Sequence, residues 1–179
     1  MANYAVVRTD KMFGTDDRNG LVSVKYMGSD GSTATAIENG NVLKLGALMA
    51  IDAVNGIYER ETYVGAVPAA NDAIADIVLI ASPEVMYDER KRNLDEFINE
   101  ADKACRGYRL HSGDIFSVTK AALAGASTPA VGDVVELKAD TKLNVVAAAT
   151  GATSGSTVVG KIAAIDVTKR YTYYVIQVA

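Results

Sequence analysis

The chain has 179 residues, 49% of them hydrophobic, with a net charge of −4 and a sequence pI near 5.0. That is enough apolar material for one domain or two small ones, and the acidic balance lacks the positive field that draws a protein to DNA or RNA, so no nucleic-acid partner is expected. One cysteine, Cys105, and one histidine, His111, exclude an intrachain disulfide framework and a multi-cysteine or His-rich zinc site within one chain.

The first residues lack the apolar core and cleavage pattern of a secretory signal, and synthesis in the cytoplasm is expected. The longest apolar run, "IVLIA" at 77–81, falls far short of the ~18 residues of a spanning helix, so no membrane association is expected. Tryptophan is absent, while alanine, valine, glycine and threonine are plentiful, a mix that suits short strands joined by small-residue turns. The expected fold class is α+β, mostly β: a barrel-like antiparallel domain over 21–179 with one amphipathic helix and an extended N-terminal arm over 1–20.

In chain order, the arm holds a short apolar "YAVV" and then a polar run with no period. Its basic residues Arg8, Lys11 and Arg18 are matched by Asp10, Asp16 and Asp17. "LVSVKYM" at 21–27 alternates, with Val22, Val24 and Tyr26 on one face, and ends in the turn signal "GSDG". Asn39-Gly40 is a favoured turn pair leading into the strand "VLKL". "GIYERETYVGAV" has two mixed faces, as an exposed or interface strand would. "IADIVLIAS" at 74–82 is continuously apolar and predicts a strand buried on both faces.

The stretch 87–118, "YDERKRNLDEFINEADKACRGYRLHSGDIFSV", gathers the cysteine, the histidine and dense charge. Ser82-Pro83-Glu84 and the capping-box pair Asn93 and Glu96 both read as helix starts. Leu94, Phe97, Ile98, Ala101 and Cys105 then fall on one helical stripe, which predicts a helix near 93–106 closed by Gly107. Cys105 is expected in the core, where free cysteines are common. "His-Ser-Gly-Asp" at 111–114 reads as a turn between strands, because adjacent letters do not converge as a catalytic triad must.

"GDIFSV" at 113–118 and "GDVVEL" at 132–137 repeat one pattern, a turn entering a strand. "AAATGATSGST" at 147–157 fails as a phosphate cradle, since Gly151 and Gly155 are wrongly spaced and no Lys-Ser/Thr pair follows. It reads as a flexible surface loop. "TVVGKIAAIDV" and "YTYYVIQVA" flank "TKR" and predict a closing β-hairpin near 157–178 with Gly160 at a bulge.

No nucleophile-base pair, metal set or cofactor loop stands out, and the carboxylate pairs Asp16-Asp17 and Glu59 with Glu61 sit in charged surroundings that fit solvated surface. A binding protein without enzymatic activity, metal or cofactor is expected. The order of segments, "IENGNVLKLGAL", "YERETYVGAVPA", "IVLIASPEVMYDERKRNLDEFINEADKACRGYRLHSGDIFSVT", "AVGDVVELK" and "VVGKIAAIDV...YTYYVIQV", resembles structural head proteins of tailed bacteriophages and prophages, specifically the small capsid decoration or cement proteins. The resemblance covers about residues 37–179, in element order more than in a strict motif.

The resemblance implies a structural protein of the virion that binds the outside of the capsid and stabilises the shell. Its implied partners are the major capsid protein and further copies of itself, as a trimer. An N-terminal arm that orders on the shell would suit the role by adding a strand to an exposed edge, with Tyr4, Val6, Val7 and Phe13 as its capsid contacts. The same residues read equally as an ordinary first strand or an unordered terminus. An alternative function is a carbohydrate- or receptor-binding module of a head fibre or tail, with Tyr58 and Tyr63 stacking on sugars. A third is a small hydrolase using His111 and Asp114.

Overall fold

The structure is a computed structural model that describes residues 3–12, 20–49, 61–88, 90–91 and 93–179. Among the described residues there are eleven strands: β1 (Leu21–Tyr26), β2 (Val42–Leu48), β3 (Thr62–Ala66), β4 (Ile77–Ile80), β5 (Cys105–Arg109), β6 (Ile115–Thr119), β7 (Leu123–Gly125), β8 (Val134–Glu136), β9 (Leu143–Val146), β10 (Val158–Val167) and β11 (Thr172–Val178). The mostly-β expectation holds, with two sheets rather than one.

The first sheet runs β1-β3-β2-β4-β5 and closes on itself where β1 pairs with β5. The second has six strands in the order β6-β11-β10-β8-β9-β7. The expected all-antiparallel pairing is corrected in two places, since β1 lies parallel to β3 and β7 parallel to β9. Parallel neighbours need a long crossover, and β1 and β3 have one because β2 intervenes in the chain.

The apolar run of β4 explains how the sheets join. Ile77 and Leu79 enter one core with Val42, Phe116, Val118, Ile162 and Ile176, whereas Val78 and Ile80 enter another with Val24, Leu43 and Cys105. Alternation on a strand sends neighbours to opposite faces, so β2 and β4 form a wall with the barrel interior on one side and the six-stranded sheet on the other. All four β4 side chains are fully buried, each contributing roughly 1.5–3 kcal/mol.

The two Gly-Asp repeats build the same turn. Gly113 and Gly132 have φ of 92° and 93°, a left-handed conformation that favours glycine. The following aspartate accepts the amide three residues back, His111 N to Asp114 Oδ2 at 2.9 Å and Ala130 N to Asp133 Oδ2 at 2.8 Å. The closing hairpin is formed by β10 and β11. Its Gly160 lies where the register of β10 against β8 shifts, as the bulge expectation had it. A Cβ there would meet the Gln177 carbonyl oxygen at 2.0 Å.

The expected helix near 93–106 is not formed. Asn93 and Glu96 do make the capping box, with Asn93 N donating to Glu96 Oε2 at 3.0 Å. The helical conformation nevertheless stops after the single 3-10 turn Leu94–Glu96, because Phe97 is already extended at φ −85° and ψ 136°. Asn99 bridges to Ile37, Asp102 takes a φ of 63°, and from Cys105 the backbone is committed to ladders with both β1 and β4. Two ladders satisfy more backbone groups than an exposed helix whose stripe includes the exposed Leu94 and Ala101. Gly107 is a strand residue, not a helix terminator, and a Cβ on it would meet the Val78 side chain at 3.2 Å.

Candidate interaction surface

The described N-terminal residues pack as an extra strand on the outer edge of β6. Thr119 N donates to Val6 O and Arg8 N to Ser117 O, both at 2.9 Å, flanking the antiparallel bridge of Val7 with Val118. Three further bonds hold the segment, Tyr4 N to Asp95 O at 3.0 Å, Ala5 N to Glu38 Oε2 at 2.9 Å and Val6 N to Thr119 Oγ1 at 3.1 Å. Of the four residues expected to touch a capsid, Val6 and Val7 lie inside at 1% and 2% exposure, Tyr4 is half-buried, and Phe13 is outside the described residues. For Val6 and Val7 to touch a partner, the segment would have to leave β6.

Residues 81–104, between the antiparallel neighbours β4 and β5, make a far longer excursion than the two to five residues of an ordinary hairpin. Connections beyond about 12–15 residues without structure of their own are most often functional or linkers. This one is pinned at both ends by Asn39, which is 1% exposed. Asn39 Nδ2 donates to Ser82 O at 2.8 Å, and Ser82 N returns a bond to Oδ1 at 3.0 Å. Asn99 Nδ2 donates to the same Oδ1 at 3.0 Å, and Asn39 Nδ2 also reaches Glu84 Oε1 at 3.3 Å. Farther out, the Tyr171 hydroxyl donates to Asp95 Oδ1 at 2.9 Å and Arg170 pairs with the same oxygen at 3.3 Å.

Within this braced frame lies an open groove of about 660 Å³, with Pro83, Val85, Met86 and Tyr87 on one bank and Phe97 and Ile98 on the other. Val85 is 59% exposed and Tyr87 92% exposed, so a large aromatic surface stands in water on a pinned base. Glu84 at the root of the excursion has its carboxyl pushed up by burial, against the opposing bond from Asn39. Sequence reasoning missed the role of Asn39 and Asn99: the Asn39-Gly40 pair signalled only a turn, and no local pattern links residues 60 positions apart.

Among the residues singled out for chemistry, Cys105 lies inside the barrel and His111 beside Asp114 in a turn. Cys105 is buried as expected, though on β5; its thiol donates to Val24 O at 3.1 Å and is pushed up to about 12 by burial, which leaves no thiolate for nucleophilic attack. His111 Nδ1 lies 3.8 Å from Asp114 Oδ2, and the same carboxylate oxygen accepts the His111 amide at 2.9 Å, which closes the turn. Glu59 and Tyr58 lie outside the described residues. Tyr63 has the Arg109 guanidinium over its ring at 5.8 Å.

The small-residue loop at 147–157, expected to be flexible, has side-chain anchors. Thr153 donates to buried Glu136 through both its amide, at 2.8 Å, and its hydroxyl, at 2.7 Å, and Asn144 Nδ2 adds a third bond at 2.8 Å. Burial pushes the Glu136 carboxyl up, but the Thr153 and Asn144 bonds outweigh it and hold the group below its ordinary value. Ala148 N donates to Asp133 Oδ1 at 3.0 Å. Among the described residues, no cluster of His, Cys, Asp and Glu is arranged to hold a metal, and no helix is long and apolar enough to cross a membrane. Comparison with protein-family models, with curated proteins and with solved structures finds no match to the chain.

Proposed function

We propose that this protein is a non-enzymatic decoration protein that binds the outer surface of a tailed-phage capsid and stabilises the shell. The observation that carries the reading is the 81–104 excursion, a braced loop that offers Val85 and Tyr87 to solvent beside an open groove. Exposed aromatics on a rigid base are the usual anchors of protein interfaces. Such a surface fits adhesion to a broad partner better than capture of a small molecule, which calls for enclosure. The resemblance in segment order points to the same reading.

Lattice repetition does the rest. On a shell that offers many equivalent sites, oligomeric copies engage several at once, and linkage raises overall binding without a large single interface. Quantitative mass spectrometry of gradient-purified particles from an induced lysate tests the reading. Copy numbers comparable to the major capsid protein are expected. A few copies per particle would favour a fibre component, and recovery in the soluble fraction alone would overturn any virion role.

A further inference from the structure

The turn that leads into β2 places two structural demands on neighbouring residues. Asn39 holds both ends of the 81–104 excursion through its side-chain amide. Gly40 has a φ of 84°, and a Cβ on it would meet Ala122 Cβ at 3.0 Å and Val118 Cγ1 at 3.2 Å, so the position favours glycine twice over. Together they form an Asn-Gly pair, the dipeptide most prone to deamidate, because glycine has no side chain to shield its nitrogen from the preceding carboxamide. The chain carries three such pairs, at 19–20, 39–40 and 55–56. Asn39 is buried, at 1% exposure, while Asn19 and Asn55 lie outside the described residues.

Deamidation needs no enzyme. Base takes the Gly40 amide proton, the nitrogen attacks Asn39 Cγ, the side-chain nitrogen leaves as ammonia, and a succinimide ring forms. Water then opens the ring at one of its two carbonyls and gives aspartate or isoaspartate. Two locks oppose ring closure in the folded protein. The nucleophile is engaged, because Gly40 N donates to Ile80 O at 2.7 Å. The electrophile is engaged too: expelling Nδ2 breaks its bond to Ser82 O, and attack at Cγ disturbs the bonds that Oδ1 accepts from Ser82 N and Asn99 Nδ2. Buried groups left without such partners are costly.

We infer that Asn39-Gly40 is a self-modification site gated by the excursion: it deamidates when 81–104 leaves Asn39, and the product keeps the excursion out. Aspartate at 39 has no N–H to donate to Ser82 O. It also sets a second carboxylate beside Glu84, whose Oε1 accepts from Nδ2 at 3.3 Å in the intact protein. Isoaspartate further lengthens the main chain by one methylene at the entrance to β2. The change runs one way, so each molecule keeps a record of the opening of its excursion. The inference concerns the brace alone and does not rest on a capsid partner.

Peptide mapping by mass spectrometry, which reads the mass gained as an amide becomes an acid, tests this on wild-type protein in mildly alkaline buffer. In guanidinium chloride all three Asn-Gly pairs are expected to react at similar rates. Without denaturant Asn39 is expected to react slower by roughly 100-fold or more, since the rate is scaled by the fraction of time the site is open. An equal rate in the folded protein overturns the inference. Asn99→Ala unties the far end of the excursion and is expected to speed Asn39 several-fold while Asn19 and Asn55 keep their wild-type rates. An unchanged Asn39 rate in the folded variant shows that the excursion is not the gate and overturns the inference. Should that variant fail to fold, wild type in sub-denaturing guanidinium decides. Asn39 is then expected to accelerate before the circular-dichroism transition begins, and acceleration within that transition alone overturns the gate. Asn39→Asp, the product made by mutation, is expected to be cut by protease within 83–91 faster than wild type; equal cutting overturns the claim that the product keeps the excursion out.

Discussion

Asn39 and Ser82 exchange a reciprocal pair of hydrogen bonds, Nδ2 to the Ser82 carbonyl at 2.8 Å and the Ser82 amide to Oδ1 at 3.0 Å, so that a side-chain amide stands in for one rung of a β-ladder. With Asn99 and Glu84 added, both donors and both acceptor positions of Asn39 are used. Asn39→Ala leaves the Ser82 amide and the Asn99 side chain without this partner in a buried place, at a cost of about 1–3 kcal/mol for each group. Denaturant titration is expected to show a loss on the order of 3 kcal/mol, and limited proteolysis to show faster cutting within 83–91.

Tyr87→Ala is expected to separate folding from binding. The side chain is 92% exposed, and surface substitutions of this kind stay within about 0.5 kcal/mol. The thermal midpoint should hold while the share of protein that sediments with particles falls sharply. A fall in both would place Tyr87 in the fold.

Glu136 makes stability depend on acid. Its carboxyl is held below its ordinary value of 4.5 in the folded protein, so its contribution is fully present above the unfolded value and is lost as the pH falls through the lower, folded one. Denaturant titrations across an acid series are expected to lose stability below pH 4.5. Glu136→Gln turns a donor toward Thr153, should destabilise the protein at neutral pH by about 1–3 kcal/mol, and should flatten that acid slope.

Gly160→Ala is expected to damage the closing hairpin. The added methyl would stand 2.0 Å from the Gln177 carbonyl oxygen, a backbone atom that cannot rotate aside. Overpacking costs about 1–3 kcal/mol or more. Calorimetry should show a lowered midpoint, and the Gln177 amide region should lose hydrogen-exchange protection.

Cys105 is expected to resist thiol reagents at pH 8 until the protein is denatured, because its thiol is buried and pushed up to about 12. Labelling in the native protein as fast as in the unfolded chain would contradict its place inside the barrel.

These residues also mark what a sequence makes legible. The closing hairpin and the paired Gly-Asp turns are local patterns present as read, and the buried strand read over 74–82 is present as Ile77–Ile80, its first residues Ile74–Asp76 forming a 3-10 turn instead. The helix expected over 93–106 came from an equally local pattern, the i, i+3, i+4 spacing from Leu94 to Cys105, and pairing of Cys105–Arg109 with β1 and β4 overrode it. Of the interaction surface, the exposed Tyr87 lies in the charge-rich stretch 87–118. The Asn39 and Asn99 brace depends on a contact across 60 positions, which no periodicity encodes. The burial of Val6 and Val7 likewise depends on where β6 leaves an edge.

The wall formed by β2 and β4 has a consequence for how the molecule comes apart. Leu79 and Ile80 are consecutive residues of one strand, yet each belongs to a different core. Opening the barrel strips one face of that strand and frees the other to move, so neither half has a boundary along which it can melt alone. Loss of order in one sheet therefore carries the other with it, in a single cooperative transition.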